Sequence, residues 1–379
     1  MLIIYWIAAV LLVFTYIGYP TIIFLLSIFF KKNTTNEEYL PLISIIIAAY
    51  NEDKVIGAKI RNSMMLDYPR EKMEIIIASD GSTDETKSEV SKHLDERIKF
   101  YEFTRAGKLA TLNRVIKYAK GDIVIFTDAN IMVTQDSLRN LIRHFADASV
   151  GVVSGIEKIN VKKDNISKHE HLYWSYEILM KESEGRIYST VGACGPLYAI
   201  RRELYPEIPS HLNVCDDMTI SLNAVQNNKR IVLERRALAL EDVSLTIQEE
   251  WRRKKRIANR AWQSLFYHKN LLIPFKSPIA FQMLFHKVLR WLTLPLMVIL
   301  LISNIFLHTG FYLLILIVQL IVYIPGVTGL FLLLSGKTTP SIISPISYFI
   351  LTQCAQIIGL YNAVFNKGKP IWQPIKRVE

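Results

Sequence analysis

The chain has 379 residues, 51% of them hydrophobic, and carries a formal net charge of +11. Its three cysteines (Cys194, Cys215, Cys354) are odd in number and scattered, which excludes a disulfide-stapled fold and a thiolate metal cage. The positive balance suits either nucleic acid or anionic lipid and phosphorylated ligands. The cluster Trp251–Arg256 stands shortly before apolar segments, which favours the membrane reading, and no nucleic-acid partner is expected.

In chain order, the first element is an uncharged run, Ile3 to Phe30. It exceeds the roughly 20 residues needed to cross a bilayer. It lacks the basic start and small-residue cleavage site of a signal peptide, so residues 1–31 read as a retained transmembrane helix. Lys31 and Lys32 follow directly, and the positive-inside rule then puts the central region in the cytoplasm of a multi-pass protein of the cell (inner) membrane.

From residue 40 to 247 strands and helices alternate. "LISIIIAAYNED" is a continuous apolar strand ending in a polar tip, Tyr50 to Asp53. A helix follows, about Val55–Met65. "EIIIASDGSTDET" repeats the pattern: strand Glu74–Ala78, tip Ser79 to Gly81, and Thr83 or Asp84 capping a helix to about Leu94. "IKFYEF" is a third strand, "GKLATLNRVIKYA" a helix, "DIVIFTDAN" a fourth strand and "SLRNLIRHFA" a helix. Uninterrupted apolar strands alternating with helices predict an α/β unit with a mostly parallel, Rossmann-like sheet covered on both faces. Ligands of such sheets bind at the carboxyl ends of the strands. Three strands end in acidic or amide groups, at Glu52, at Asp80, and at Asp128 with Asn130, and all should converge on one pocket.

Asp128 and Asn130 are two residues apart, so on a strand both would point one way and offer oxygen donors to a hard cation such as Mg²⁺ or Mn²⁺. A loop-capping turn is the plainer reading of such a pair. "TRAGKLATLN" places Arg105 and Lys108 beside a glycine at a helix start, which suits a diphosphate. "VCDDMTISL" opens a helix with Asp216 and Asp217; paired carboxylates can divide roles, one serving as a base and the other as a cap. "HLYWSYE" contributes Trp174, whose face suits a sugar ring or an interface. Residues 248–290 read as amphipathic interfacial helices in which Arg253, Arg256 and Trp262 stand among other basic residues.

Three further spans are expected at Leu292–Leu307, Phe311–Leu334 and Ile343–Phe365, within 291–366. A basic tail, 367–379, should stay inside, yet one span plus three would put it outside. Either one segment is re-entrant or Ile279–Leu307 meets the membrane differently. His286, Lys287 and Arg290 point to its first part lying along the interface.

The ordered set "AAYNE", "SDGSTDET", "GKLATLN", "FTDAN", "GPLYAIRREL", "CDDMTISL", "RRKKRI" and "FHKVLRWL" resembles the inverting, membrane-bound glycosyltransferases of family 2, such as the synthases of cellulose, hyaluronan and poly-N-acetylglucosamine. The resemblance runs from about Ile43 to Trp372. It implies a GT-A fold, a metal-dependent hexosyl transfer with inversion from a nucleotide-sugar, typically a UDP-sugar, and exopolysaccharide or capsule synthesis. It implies that Ala49, Tyr50, Glu52 and Asp80 hold the nucleoside. Lys108 and Asp128 match the diphosphate and metal region, Asp217 the general base, and Arg256 the arginine of a Gln-x-x-Arg-Trp motif. Two departures stand out. Asp-x-Asp reads Asp128-Ala129-Asn130, and the tryptophan after Arg256 is replaced by Ile257, with Trp262 one to two turns on. The acceptor is then either a growing polysaccharide, the first expectation, or a lipid-linked acceptor receiving one sugar. Sparse polar groups in three C-terminal spans would leave secretion of a chain to a homo-oligomer or an export partner.

Overall fold

The computed structural model describes residues 1–30, 38–160, 165–242, 246–274, 276–307 and 309–368. Lys31, Lys32, the tail from 369 onward and the side chain of Trp174 therefore lie outside the described residues. The strands are β1 (Ile43–Ala49), β2 (Met73–Asp80), β3 (Ile98–Phe103), β4 (Ile123–Asp128), β5 (Met132–Val133), β6 (Val150–Asn160), β7 (Leu197–Arg201) and β8 (Arg230–Asp242). The helices are α1 (Leu2–Val13), α2 (Tyr19–Phe29), α3 (Asp53–Met64), α4 (Thr86–Ser91), α5 (Lys108–Val115), α6 (Ser137–Ile142), α7 (Asn165–Ile187), α8 (Asp216–Gln226), α9 (Ile247–Tyr267), α10 (Pro278–Gln282), α11 (Leu289–Trp291), α12 (Thr293–Ile305), α13 (Gly310–Leu334) and α14 (Ser344–Val364).

All eight strands join one sheet, in the order β3-β2-β1-β4-β7-β6-β8-β5. β3, β2, β1 and β4 are parallel, and so are β6 and β8, whereas β7 and β5 run the other way. The apolar runs explain the two-faced burial. Ile43, Ile45 and Ile47 pack with Ile56 and Ile60 of α3 on one face. Ile46, Val124 and Phe126 pack with Leu109 and Leu112 of α5 on the other. The carboxyl ends of β1, β2, β4, β6 and β8 consequently share one edge, where the cleft forms.

The helix expected to start at Thr83 or Asp84 starts instead at Thr86, after Glu85. Asp84 is used as a tie: its carboxylate accepts the N–H of Thr86 (3.1 Å) and of Asp53 (3.1 Å), joining the starts of α3 and α4.

The core on the α5 face continues into Trp262 and Leu265 of α9, Ile279 and Met283 near α10, and Ala363 of α14. The C-terminal helices are thus packed on the sheet domain rather than tethered to it. Two close seams order them. A Cβ on Gly359 of α14 would stand 2.5 Å from the Ala258 Cβ of α9, and one on Gly326 of α13 would stand 2.7 Å from Ile346 and Ile350 of α14.

By length and composition, two helical stretches can cross a membrane, Leu2–Phe29 and Gly310–Leu334. Pro278–Trp291 and Thr293–Ile305 make a third only if taken together, and they are bent by 64°. Three C-terminal spans were expected. The bend in the α10–α12 segment and the polar residues of α14, Ser347, Gln353, Gln356 and Asn362, account for the smaller number among the described residues.

Candidate active site

The cleft has a donor-side wall made by the tips of β1 and β2. Asp80 closes β2 and is 3% exposed. Its carboxylate accepts the backbone N–H of Ala106 (2.8 Å) and of Gly107 (2.9 Å), and also bonds the Arg105 guanidinium. Gly107 has φ +99°, a left-handed conformation open to glycine and strained for other residues. Asp80 thereby draws the 105–107 loop onto the sheet edge, so that α5 begins in the cleft with Lys108. Arg105 covers the ring of Tyr50, 3.4 Å from its centroid. Glu52 is buried, and its N–H donates to Thr86 Oγ1 (2.9 Å). Ala49, Tyr50, Glu52 and Asp80 are therefore brought together, with Asp80 also acting as the clamp on the loop.

In the centre, Lys108 Nζ bridges Asp128 Oδ1 (2.8 Å) and Asp216 Oδ2 (2.9 Å). Burial alone would lower this ammonium; Asp128 and Asp216 overcome that and hold it above its usual value. Lys108 in turn outweighs burial at Asp216 and keeps that carboxyl low. Asp217, in the same first turn of α8, has the opposite setting. Burial, then the neighbouring Asp216 charge, push it up to about 6. Its Oδ2 lies 3.0 Å from where a Cβ on Gly195 would stand, so a side chain there would press that carboxylate aside by a few tenths of an ångström. Two adjacent carboxylates are thus separated into a permanent anion and a group poised near neutrality.

The Asp-x-Asn pair departs from expectation. β4 ends at Asp128, and the chain turns at once, with the Ile131 N–H donating to the Asp128 carbonyl (3.2 Å). Asn130 is past the strand, so the period-two argument does not reach it. Its amide instead donates to Glu241 Oε1 near the end of β8 (3.2 Å). Beneath the turn, Lys59 is fully buried and donates to Thr127 Oγ1 (2.9 Å) and the Ile131 carbonyl (2.6 Å). Burial lowers this ammonium to about 7.

α9 opens with a capping box between Thr246 and Glu249 and forms the remaining wall. Arg253, Arg256 and Arg260 fall at i, i+3 and i+7, one face of the helix. Arg253 Nη2 is 3.9 Å from Glu157 Oε1 and 4.0 Å from Glu241 Oε2. Arg256 is exposed and within electrostatic reach of Asp216. Trp262 is not in the cleft. It is 4% exposed, packs against Trp291 with ring centroids 5.0 Å apart, and donates its indole N–H to the Gln356 carbonyl (3.2 Å). It belongs to the same core cluster as Leu265, Ile279, Met283 and Ala363, so it has no face to offer a sugar.

Residues 44–208 match the family model described as glycosyl transferase family 2. The match makes this segment similar to family 2 glycosyltransferases. Over 131 residues the chain is 34% identical to a beta-monoglucosyldiacylglycerol synthase of Nostoc sp., covering 33% of this chain and 28% of that protein. Over 141 residues it is 34% identical to a poly-beta-1,6-N-acetyl-D-glucosamine synthase of Staphylococcus aureus, covering 36% and 34%. The matched stretches span about a third or less of these relatives' lengths. A mannosyltransferase of Pyrobaculum calidifontis, solved with GDP-Man and Mn²⁺, superposes with a TM-score of 0.72 at 22% identity, over 96% of this chain and 100% of that one. The two chains share the GT-A fold.

Oxygen donors at the cleft fit a hard divalent cation in part. The Asp128 side chain is 36% exposed, and Glu157 lies behind it, 92% buried, with Oε1 lacking a hydrogen-bond partner. Burial, the Glu241 carboxylate and the Asp128 charge, against the pull of Arg253, push Glu157 up to about 8. Among the described residues no three acidic, histidine or cysteine side chains form a ready cage. The set therefore suits an ion that shares its ligands with a substrate diphosphate, the usual habit of Mg²⁺.

Several of these residues are absent from the sequence reading. Lys59 had one available signal, a lysine three residues after Ile56 and next to Ile60 on the apolar face of a helix. Arg260 had its spacing, four residues after Arg256 on one helix face; Glu157 and Glu241 had none, because strand pairing brings them to the cleft.

Proposed function

We propose that this protein is a membrane glycosyltransferase that transfers a hexose, with inversion, from a nucleoside-diphosphate sugar to an acceptor hydroxyl. The observation that carries the reading is the divided pair on α8: Asp216 is ionised and bonded to Lys108, while Asp217 sits beside it with a pKa of about 6. Asp217 takes the acceptor proton as the hydroxyl attacks the anomeric carbon in line, and the glycosidic bond to the diphosphate breaks in the same displacement. Lys108, Arg253 and Arg256 stand where negative charge gathers on the leaving diphosphate. Mg²⁺ or Mn²⁺ held by Asp128, with Asn130 and the Glu157–Glu241 pair behind it, would neutralise part of that charge. Tyr50, Glu52 and the Asp80-clamped loop would hold the nucleoside, for which a UDP-sugar is the first candidate.

For the acceptor, we favour a lipid-linked molecule receiving one sugar over a growing polysaccharide. What supports this is the burial of Trp262, which removes the aromatic platform that a sliding sugar chain would need near Arg256. The test is the purified protein in lipid nanodiscs with Mn²⁺ or Mg²⁺, a panel of nucleotide-sugars, and Asp217→Asn as control. Nucleotide release dependent on added lipid acceptor, giving a single inverted linkage by NMR, is expected. A long polymer from one donor would overturn the acceptor reading, and no release with any donor and acceptor would overturn the enzymatic one.

A further inference from the structure

Two charged clusters lie outside the donor wall, and they differ in kind. One stands behind Asp217, between α7 and the segment from α10 to α11. His286 bonds Glu177 Oε1 through Nε2 (2.9 Å) and Glu184 Oε1 through Nδ1 (2.9 Å), and Arg290 donates to Glu177 Oε2 (2.8 Å). All four side chains are buried. This membrane-side cluster is sealed, and its groups satisfy one another.

The second cluster is open. At the amino half of β8, away from Glu241 and the donor cleft, α7, β8 and the turn after α6 (Arg143–Ala146) surround a cavity of about 360 Å³. An irregularity in the strand shapes its wall. β6 and β8 pair at Ser154–Leu233 and next at Ile156–Leu238, so Glu234 to Ala237 stand against Gly155 alone. Bulges re-aim side chains and are frequent beside binding and active sites. Here Glu234, Arg235 and Arg236 all reach the cavity.

Carboxylates fix the cations around it. Buried Glu234 accepts from Arg143, from His144 Nε2 (2.8 Å) and from the Arg236 guanidinium (3.3 Å). Glu182 of α7 accepts from Arg186 (2.6 Å) and lies 3.2 Å from the Arg235 guanidinium. Arg230 is buried and held by Asp147 (3.0 Å). Five guanidinium groups thus meet three carboxylates, and Glu182 and Glu234 are the only acids on the wall among the described residues.

Ion pairs at an open surface are individually weak, and pairing alone would make this a solvated patch. Two further features set it apart. His144, on the wall, is 6% exposed, and its Nδ1 has no hydrogen-bond partner; the buried Nε of Arg143 has none either. Buried polar atoms seldom go unpaired. The guanidinium groups also come from three elements around one hollow. A concave wall with one prevailing sign of charge concentrates counter-ions, and ordered guanidinium groups bind phosphate oxygens two at a time. A phosphate monoester brings about two negative charges at neutral pH, which matches the excess of guanidinium over carboxylate.

We infer that this cavity is a second anion site, separate from the donor cleft, that takes a phosphate monoester, either free in solution or as a lipid headgroup. Both sources reach it. Arg235 and Arg236 are more than half exposed to solvent. Gly185 on the wall follows Glu184, whose carboxylate accepts the Tyr19 hydroxyl of the N-terminal apolar helix. The site depends on neither the donor nor the acceptor reading above.

The test is calorimetric titration of the full chain in phosphatidylcholine nanodiscs, with UDP present throughout to fill the donor cleft. Glycerol 3-phosphate is expected to bind at least about tenfold more tightly than acetate, as charge-assisted hydrogen bonds of this kind imply. Arg235→Gln combined with Arg236→Gln should weaken it at least about tenfold. Arg186→Gln, on a different element, should act in the same direction, and Lys108→Met should leave it unchanged. A cooperative thermal transition in each variant checks the fold. Nanodiscs containing phosphatidic acid, compared with phosphatidylglycerol as an anionic diester, separate the sources. Loss of glycerol 3-phosphate binding with phosphatidic acid alone assigns the cavity to a lipid headgroup, and unchanged binding assigns it to a free monoester. Acetate binding as tightly, binding that survives the arginine variants, or binding lost in Lys108→Met overturns the site. So does a failure of glycerol 3-phosphate to bind in phosphatidylcholine nanodiscs.

Discussion

The donor wall and the membrane-side cluster are both charged and buried, but they are assembled in opposite ways. At the donor wall the anchors are backbone groups at strand tips: Asp80 is held by two amide N–H groups of one short loop. On the membrane side the partners of Glu177 and Glu184 are side chains, and two of the bonds, Glu177 to Arg290 and Glu184 to His286, join residues more than one hundred positions apart. The first arrangement is rigid because few rotatable bonds separate the charge from the sheet. The second depends on three helical segments staying in register. One end of the cleft should therefore tolerate little change in chemistry, and the other little change in packing.

The largest effect should come from the base. Asp217→Asn is expected to lower transfer by about 10²–10⁴-fold, the usual contribution of a positioned base, with UDP affinity retained. Lys108→Met should cost about 10²–10³-fold in kcat, as when one preorganised donor is lost; steady-state kinetics would separate this from a KM effect. On the membrane side His286→Ala should act on stability instead. It leaves Glu177 and Glu184 facing each other without their shared partner, a loss of about 3–5 kcal/mol, visible as a lower Tm with unchanged nucleotide affinity. If His286→Ala altered nucleotide affinity as strongly as Lys108→Met, the contrast between the two ends would fail.

The smallest effect is a shift in pH dependence. Asp217 must be ionised to act, so activity should fall as pH drops through about 6. The Asp216 charge raises that value and Lys108 lowers it. Asp216→Asn removes the first influence and releases Lys108 from an anion, so both changes move the acid limb to lower pH. A limb that moved upward would show that Asp217 is not the titrating group.

How much of this was legible follows from the same contrast. The strands β1, β2 and β4 announce themselves by apolar runs, and their tips by the polar residues that end them. Asp80, Asp128, Lys108 and the Asp216–Asp217 pair were visible for that reason. Asn130 was misplaced because nothing local says that β4 stops one residue before Ala129. Trp262 was misread because a tryptophan in a basic helix looks interfacial until α14 is packed against it. Asp216 looked like a cap and is an ion-pair partner of Lys108, a relation set by the meeting of α5 and α8. The Glu177–His286–Glu184 cluster was out of reach altogether, since its members acquire meaning only once α7 and the α10–α11 segment touch.

The two glycine seams have a consequence for how the cleft is set in space. α13 meets α14 where Gly326 faces the Ile346 and Ile350 side chains, and α14 meets α9 where Gly359 faces Ala258. Arg253, Arg256 and Arg260 ride on α9. α13 qualifies by length and composition to cross a membrane, so a tilt imposed on it by lipid thickness would reach the arginine row through these two contacts.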